Sequence, residues 1–374
     1  MNRIGAGAGA NHDPYQESRA PARLDDRIIP LRPDRGESML TAVVRSWPFA
    51  LGCLSLVALG GCGLGCGCAG VATTPVDSAS LEDVAALIDA RAPAPDGGGA
   101  PSDVAPDGPD LVARRPYRMK VPGGYDGTAA VPLLVLFHGY GGTGMSQDSY
   151  FRLSALADAR TFLLATPDGT VDSSGRRFWS ATDACCNFAG APVDDVAYFN
   201  AIVDDAQSRY KVDGKRIFVV GFSNGGFMAH RLACDAAPRI AGIVSLAGAA
   251  WQDGTRCAPS EAVAVLQVHG QADATVLYAG GRFSASTPPY PGAVETVTGW
   301  AERNRCGSAL TPTGATLDLD TALAGAETDV ARFEGCAAGA AVELWTIRNG
   351  AHVPVLGAHW APAIYDFLSA HPKR

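Results

Sequence analysis

From residue 111 onward the chain alternates short, almost continuous apolar runs with longer stretches whose apolar residues recur at helical spacing. The runs 131–137 (VPLLVLF), 161–166 (TFLLAT), 216–220 (RIFVV), 243–246 (IVSL), 263–268 (VAVLQV) and 342–347 (VELWTI) have the length of strands. A strand apolar at nearly every position has both faces covered, which is the pattern of a parallel sheet lying under helices. The stretches 194–210, 224–235 and 361–370 read as helices. Strand and helix alternating over 111–374 predict one α/β domain with a mostly parallel central sheet and helices on both faces.

Upstream of residue 111 the pattern changes. Residues 1–38 are polar, without apolar periodicity, and read as a disordered or non-native extension preceding a start at Met39. Residues 39–61 carry Arg45, then a short apolar core from Trp47 to Leu59, and end in Leu59-Gly60-Gly61 before Cys62. A basic flank, a short apolar core and small residues at the cleavage point describe a secretory signal peptide. Its Leu-Gly-Gly-Cys end resembles a bacterial lipobox, in which Cys62 would be lipidated; Cys66 is the weaker alternative. Residues 62–110 are rich in Ala, Pro, Gly and Asp, the composition of a flexible tether.

Composition narrows the function. With 47% hydrophobic and 18% charged residues, the chain has material for a core, so wholesale disorder is excluded. The net charge of −8, with no Lys/Arg run, argues against a nucleic-acid partner. No apolar run reaches the ~18 residues of a spanning helix, so any membrane contact is expected through the lipid anchor alone. Six cysteines fall in the globular part: Cys185, Cys186, Cys234, Cys257, Cys306 and Cys336. An even number in an exported chain points to disulfides, and the sequence leaves all pairings open. No Cys or His spacing suggests a metal site.

The chemistry concentrates in RIFVVGFSNGGFMAHRLAC. Gly221-Phe222-Ser223-Asn224-Gly225 is G-x-S-x-G, placed directly after one predicted strand and directly before a predicted helix. That context defines a nucleophile elbow, a sharp turn that presents the Ser hydroxyl at the strand's end. Upstream, His138-Gly139-Tyr140-Gly141-Gly142 follows the strand ending at Phe137 and reads as an oxyanion loop. The two backbone donors are then the N–H groups of Tyr140 and Asn224. In the order Ser, acid, His, the acid is Asp273, after the strand 263–268, and the base is His352, after the strand 342–347. Asp253, Asp318 and Asp320 are rival acids, but none follows a predicted strand. His359 is the rival base. His230, on the elbow helix, reads as a packing residue, and His138 as part of the loop.

These motifs, together with ATPDG at 165–169, CCN at 185–187, VDDVAYF at 193–199, HGQAD, YAGG and NGAH, resemble the polyhydroxybutyrate depolymerase-like esterases. That group also holds feruloyl and acetylxylan esterases, and the resemblance runs from about Tyr117 to the C-terminus. It implies an α/β-hydrolase fold, a Ser223–His352–Asp273 triad and no metal or organic cofactor. It also implies disulfides Cys234–Cys257 and Cys306–Cys336, with the pairing of Cys185 and Cys186 left open. The expected substrate is an ester: a polyester, a hydroxycinnamoyl ester or an acetyl ester. Relatives often carry Trp after the catalytic His, whereas here the run is His352-Val353-Pro354-Val355. Trp179, with Phe178 and Tyr140, is the expected replacement for that aromatic wall.

Two other functions share parts of this pattern. A serine peptidase of the prolyl-oligopeptidase type can carry G-x-S-x-G and the same residue order, but no β-propeller-sized N-terminal domain is seen here. A catalytically idle binding lipoprotein could keep the scaffold, against which the intact triad argues. The N-terminal reading has its own test: radiolabelled palmitate should appear on the protein in a lipoprotein-processing host and vanish in Cys62→Ala. Unlabelled wild type would refute the anchor.

Overall fold

The computed structural model describes residues 111–337 and 339–374. The expected extension 1–38, the signal peptide 39–61, Cys62 and the tether 62–110 lie outside the described residues. The main sheet is built from β1 (Arg118–Lys120), β2 (Val131–Phe137), β3 (Leu163–Thr166), β4 (Val212–Phe222), β5 (Gly242–Leu246), β6 (Ala264–Gly270), β7 (Leu310–Leu317), β8 (Thr328–Phe333) and β9 (Val342–Ile347). The order across the sheet is β1-β3-β2-β4-β5-β6-β9-β8-β7. The central pairs from β3 through β9 are parallel. Antiparallel pairing occurs at the edges, between β1 and β3 and within β9-β8-β7.

The apolar runs behave as a doubly covered sheet requires. In β2 every residue is buried. Leu133, Val135 and Phe137 join one core and Leu134 and Leu136 the other, because successive side chains point to opposite faces. On the first face pack α3 (Asp195–Arg209), α4 (Asn224–Asp235) and α5 (Ala293–Arg303). On the second pack α1 (Gly144–Phe151), α2 (Leu153–Arg160) and α6 (Trp360–Ser369). The Asp194 carboxylate caps α3, accepting from the Val196 and Ala197 N–H groups.

Registry aligns the strand ends that matter. Phe137 lies opposite Gly221, Phe222 opposite Leu246, and Ile347 opposite Gly270. The loops that follow β2, β4, β6 and β9 therefore leave the same edge of the sheet, where open α/β sheets bind ligands.

One feature departs from the sequence reading, and one pairing that it left open is resolved. The hairpin β7–β8 is absent from it, because β7 is mostly exposed and contains Pro312 and Gly314, so no apolar alternation marks it. Asp318 and Asp320 consequently do follow a strand, contrary to expectation. Asp320 is buried and its carboxylate accepts from the Ala322 and Val355 N–H groups. Cys185 and Cys186, whose pairing the sequence leaves open, are joined to each other, while Cys234–Cys257 and Cys306–Cys336 are disulfides as the resemblance implies.

The elbow allows little freedom in its glycines. A Cβ on Gly225 would lie 2.2 Å from the Phe137 carbonyl oxygen, and one on Gly221 would lie 2.0 Å from the Gly225 oxygen. Both clashes are with backbone, which cannot swing aside. Gly225→Ala should therefore cost several kcal/mol, about as much as other severe core lesions. Gly124→Ala, with nothing within 4 Å of the new methyl, should leave stability nearly unchanged. Urea denaturation of the two variants makes the comparison, and equal midpoints would contradict it.

Candidate active site

Ser223 sits between β4 and α4 with φ 52° and ψ −117°. A non-glycine residue in this region costs about 1–3 kcal/mol and persists only where its surroundings enforce it. Here the Ser223 N–H donates to the Leu246 carbonyl (2.8 Å), and its own carbonyl accepts from the Phe227 N–H (3.0 Å). The Ser hydroxyl is thereby held at the N-terminus of α4, the positive end of that helix.

His352 Nε2 lies 3.0 Å from Ser223 Oγ, and His352 Nδ1 lies 2.7 Å from Asp273 Oδ2. The three side chains thus form one hydrogen-bonded line drawn from three different strand ends. Asp273 Oδ1 accepts from the Thr275 and Val276 N–H groups, at 2.8 and 2.9 Å. Burial works to raise the Asp273 pKa, but the bonds from His269 and His352 and from the backbone outweigh it. The carboxyl is held well below the usual carboxylate range. The two loops that carry Asp273 and His352 touch through backbone: the Ala272 N–H donates to the Gly350 carbonyl (2.9 Å). A Cβ on Gly270 would lie 2.3 Å from that same oxygen.

The segment after His352 is tied down on the far side. Tyr150 Oη donates to the Pro354 carbonyl (2.7 Å), and Asp320 Oδ1 accepts from the Val355 N–H (2.9 Å). The Phe222 ring lies 5.1 Å from the His352 ring. Asp320, a rival acid in sequence, thus holds the backbone of the His352 loop. His359 is exposed at the start of α6 and makes no hydrogen bond to Ser223.

The loop after β2 lies against the serine: a Cβ on Gly139 would lie 3.5 Å from Ser223 Cβ. His138 is the loop's scaffold. Its Nε2 accepts from the Gly169 N–H (2.9 Å), which puts the proton on Nδ1, and Nδ1 faces the Gly139 carbonyl at 2.7 Å. The Asn224 side chain brackets the site from the other side. Its Oδ1 accepts from the Trp179 N–H (2.7 Å) and its Nδ2 donates to the Trp179 carbonyl (3.0 Å). Among the described residues the backbone N–H groups of Tyr140 and Asn224 have no protein acceptor.

Trp179 does not line the site as expected. Its ring is 0% exposed, packed on Phe137 and His138, with Nε1 donating to the His138 carbonyl. Its role is to buttress the loop. The exposed aromatic near the loop is Phe188, 54% exposed, with ring centroids 6.0 Å from both Tyr140 and Phe283. Nothing in its own spacing marked Phe188 in advance. Among the described residues no three His, Cys, Asp or Glu side chains converge as a metal-holding group.

Known proteins are similar to parts of this chain. The model of a family described as Phospholipase/Carboxylesterase matches residues 126–287. Feruloyl esterase B of Piromyces equi is 28% identical over 240 residues, covering 63% of this chain and 42% of that protein. A protein of Nocardia uniformis subsp. tsuyamanensis named as an esterase, NocK, is 32% identical over 142 residues, covering 38% of this chain and 40% of its own. The chain thus spans about two fifths of the length of each of these relatives. Among solved structures, the acetyl xylan esterase from Aspergillus awamori matches with a TM-score of 0.48 at 16% identity, over 68% of this chain and 93% of that one. The chain has the α/β-hydrolase fold, given by the mostly parallel sheet with helices on both faces together with the partial family match. It is related to esterases, feruloyl esterases among them.

Burial gives two histidines a measurable signature. It pushes both His138 and His230 down to about 4. The unfolded chain takes up these protons near the ordinary pKa of about 6.5, while the folded chain refuses them until about 4. Stability should therefore fall as pH drops through that window, by ~1.4 kcal/mol per pH unit for each histidine. Urea denaturation at pH 7, 6 and 5 checks this, and a flat stability profile would contradict it.

Proposed function

We propose that this protein is a serine carboxylic-ester hydrolase working through an acyl-enzyme. The observation that carries this reading is the unbroken line Ser223 Oγ–His352–Asp273, anchored by a serine in a strained backbone conformation. Ser223 attacks the ester carbonyl while His352 Nε2 takes its proton. Asp273 holds the imidazole with Nε2 facing the serine and stabilises the imidazolium that forms. The N–H groups of Tyr140 and Asn224 receive the negative charge on the carbonyl oxygen, with Trp179 and His138 holding both donors in place. His352 then protonates the leaving alcohol, and water resolves the acyl-enzyme by the reverse path.

The acyl group in this reading is a hydroxycinnamoyl or acetyl group, as in the relatives' names, or a hydroxyalkanoate from a polyester. The row Tyr140–Phe188–Phe283 favours an aromatic acyl group, since rings at this spacing offer edge and face contacts to a planar partner. The cysteines support export: all six in the described residues are paired, as is usual in an oxidising compartment. Lipid attachment at Cys62 would then hold the catalytic domain at the cell envelope on its tether.

Ser223→Ala should abolish ester turnover, by a factor on the order of 10⁶, and His352→Ala should cost about as much. Asp273→Asn should cost less, about 10⁴-fold, because the oxyanion donors survive. Rates on p-nitrophenyl acetate and methyl ferulate, with a fluorophosphonate labelling Ser223, provide the measurement. If His359→Ala destroys hydrolysis while a folded His352→Ala stays active, the base is misassigned. If wild type cleaves a peptide amide and no ester, the reaction class is.

A further inference from the structure

A chain of buried polar side chains runs behind Asp273 and takes no direct part in the steps above. Gln267 and His269 stand two residues apart on β6 and so point to the same face, toward α4 and α5. Trp300 Nε1 of α5 donates to His230 Nδ1 of α4 at 2.9 Å. His230 Nε2 lies 2.9 Å from Gln267 Oε1. Gln267 Nε2 lies 2.9 Å from the Gly248 carbonyl and 3.0 Å from His269 Nδ1. His269 Nε2 lies 2.7 Å from the Val276 carbonyl and 3.4 Å from Asp273 Oδ2. All four side chains are buried.

The direction of every bond follows from the first. An indole N–H can only donate, so His230 Nδ1 must accept and the proton of this neutral ring sits on Nε2. That proton makes Gln267 Oε1 an acceptor and turns the amide NH2 toward Gly248 and His269. His269 Nδ1 must then accept, which leaves its proton on Nε2. The far end demands the same arrangement, because Nε2 faces a carbonyl and a carboxylate, both acceptors. A reversed chain would set lone pair against lone pair at one end or the other.

We propose that His269 is a positioning residue for Asp273, fixed as an Nε2–H donor by the Trp300–His230–Gln267 chain. This inference rests on the triad reading above. Its bond to the Val276 carbonyl closes the turn whose Thr275 and Val276 N–H groups hold Asp273 Oδ1. Its N–H also faces Oδ2, the oxygen that binds His352, so the charge on that oxygen is shared between two imidazoles. Other polar or charged groups border the chain. Tyr290 lies near Asp273, Arg303 near His230, and the Tyr278 ring near His269, while Asp320 holds the His352 loop. Only His269 offers Oδ2 a second side-chain donor among the described residues.

The experiment has two arms. In wild-type protein labelled with 15N-histidine, NMR at pH 7 should find His230 and His269 as neutral Nε2–H tautomers, and Trp300→Phe should release His230 into a mixture. In the kinetic arm, His269→Leu removes the donor and His269→Gln restores an N–H near the place of Nε2. His269→Leu should lower kcat about 10–100-fold with KM little changed. It should also move the acid limb of kcat/KM to higher pH, since a less shared carboxylate charge holds the imidazolium more tightly. His269→Gln should recover most of both. An Nδ1–H or doubly protonated His269 overturns the proposal, as does a folded His269→Leu with wild-type kcat and pH profile. Equal loss in the Leu and Gln variants with an unmoved acid limb also overturns it, leaving a purely structural role. The tautomer arm needs no turnover. An inactive wild type would therefore refute the esterase reading and leave the chain standing, whereas an active one with the wrong tautomer would refute the chain alone.

Discussion

The contact on which the site depends is one of backbone against backbone, where α4 begins on top of β2 and β4. Gly225 meets the carbonyl of Phe137 and Gly221 meets Gly225, at separations that no side chain survives. The approach forces Ser223 into its positive-φ turn and aims the N-terminus of α4 at the serine hydroxyl. It also brings Asn224 within reach of the Trp179 backbone, and Trp179 in turn supports the His138 loop. One close approach thus sets Ser223, the proposed nucleophile, together with the helix dipole and both expected oxyanion donors. The hydrophobic faces of the sheet provide the force that presses these elements together.

Around that contact the protein keeps the imidazoles of His138 and His230 neutral and directional. His138 spends both nitrogens on backbone, and His230 spends both on side chains. A charged imidazole in either place would lose a bond. The one buried carboxylate at the centre, Asp273, is surrounded by four donors and so retains its charge despite burial. Neutral histidines stay neutral and the acid stays ionised, which is the arrangement a Ser–His–Asp line needs around its base.

The parts of this fold that were legible in sequence are those with both faces covered. β2 and β5 are buried at every position, β9 at four of six, and the elbow helix 224–235 matches α4 at both ends. Ser223, Asp273 and His352 stand out because each follows such a strand. The β7–β8 hairpin was invisible because its β7 strand is solvated and holds Pro312 and Gly314. Trp179 misled for a different reason: an aromatic next to a predicted active-site loop can face the pocket or the core, and only packing decides. The Gln267-x-His269 pair did leave a trace, two polar residues on an otherwise apolar strand. What that trace could not carry was the partners, since Trp300 and His230 arrive from helices distant in the chain.

The same exposed hairpin bears on how copies of this protein behave toward one another. An edge strand offers a row of free N–H and C=O groups to any neighbour that can align with it. Here the edge is β7, Leu310–Leu317, whose pairing with β8 shifts register between Pro312 and Thr316. Proline removes a donor from the row, and the shift twists the strand away from a flat ladder. This margin of the sheet is thereby a poor template for strand addition by a neighbouring copy.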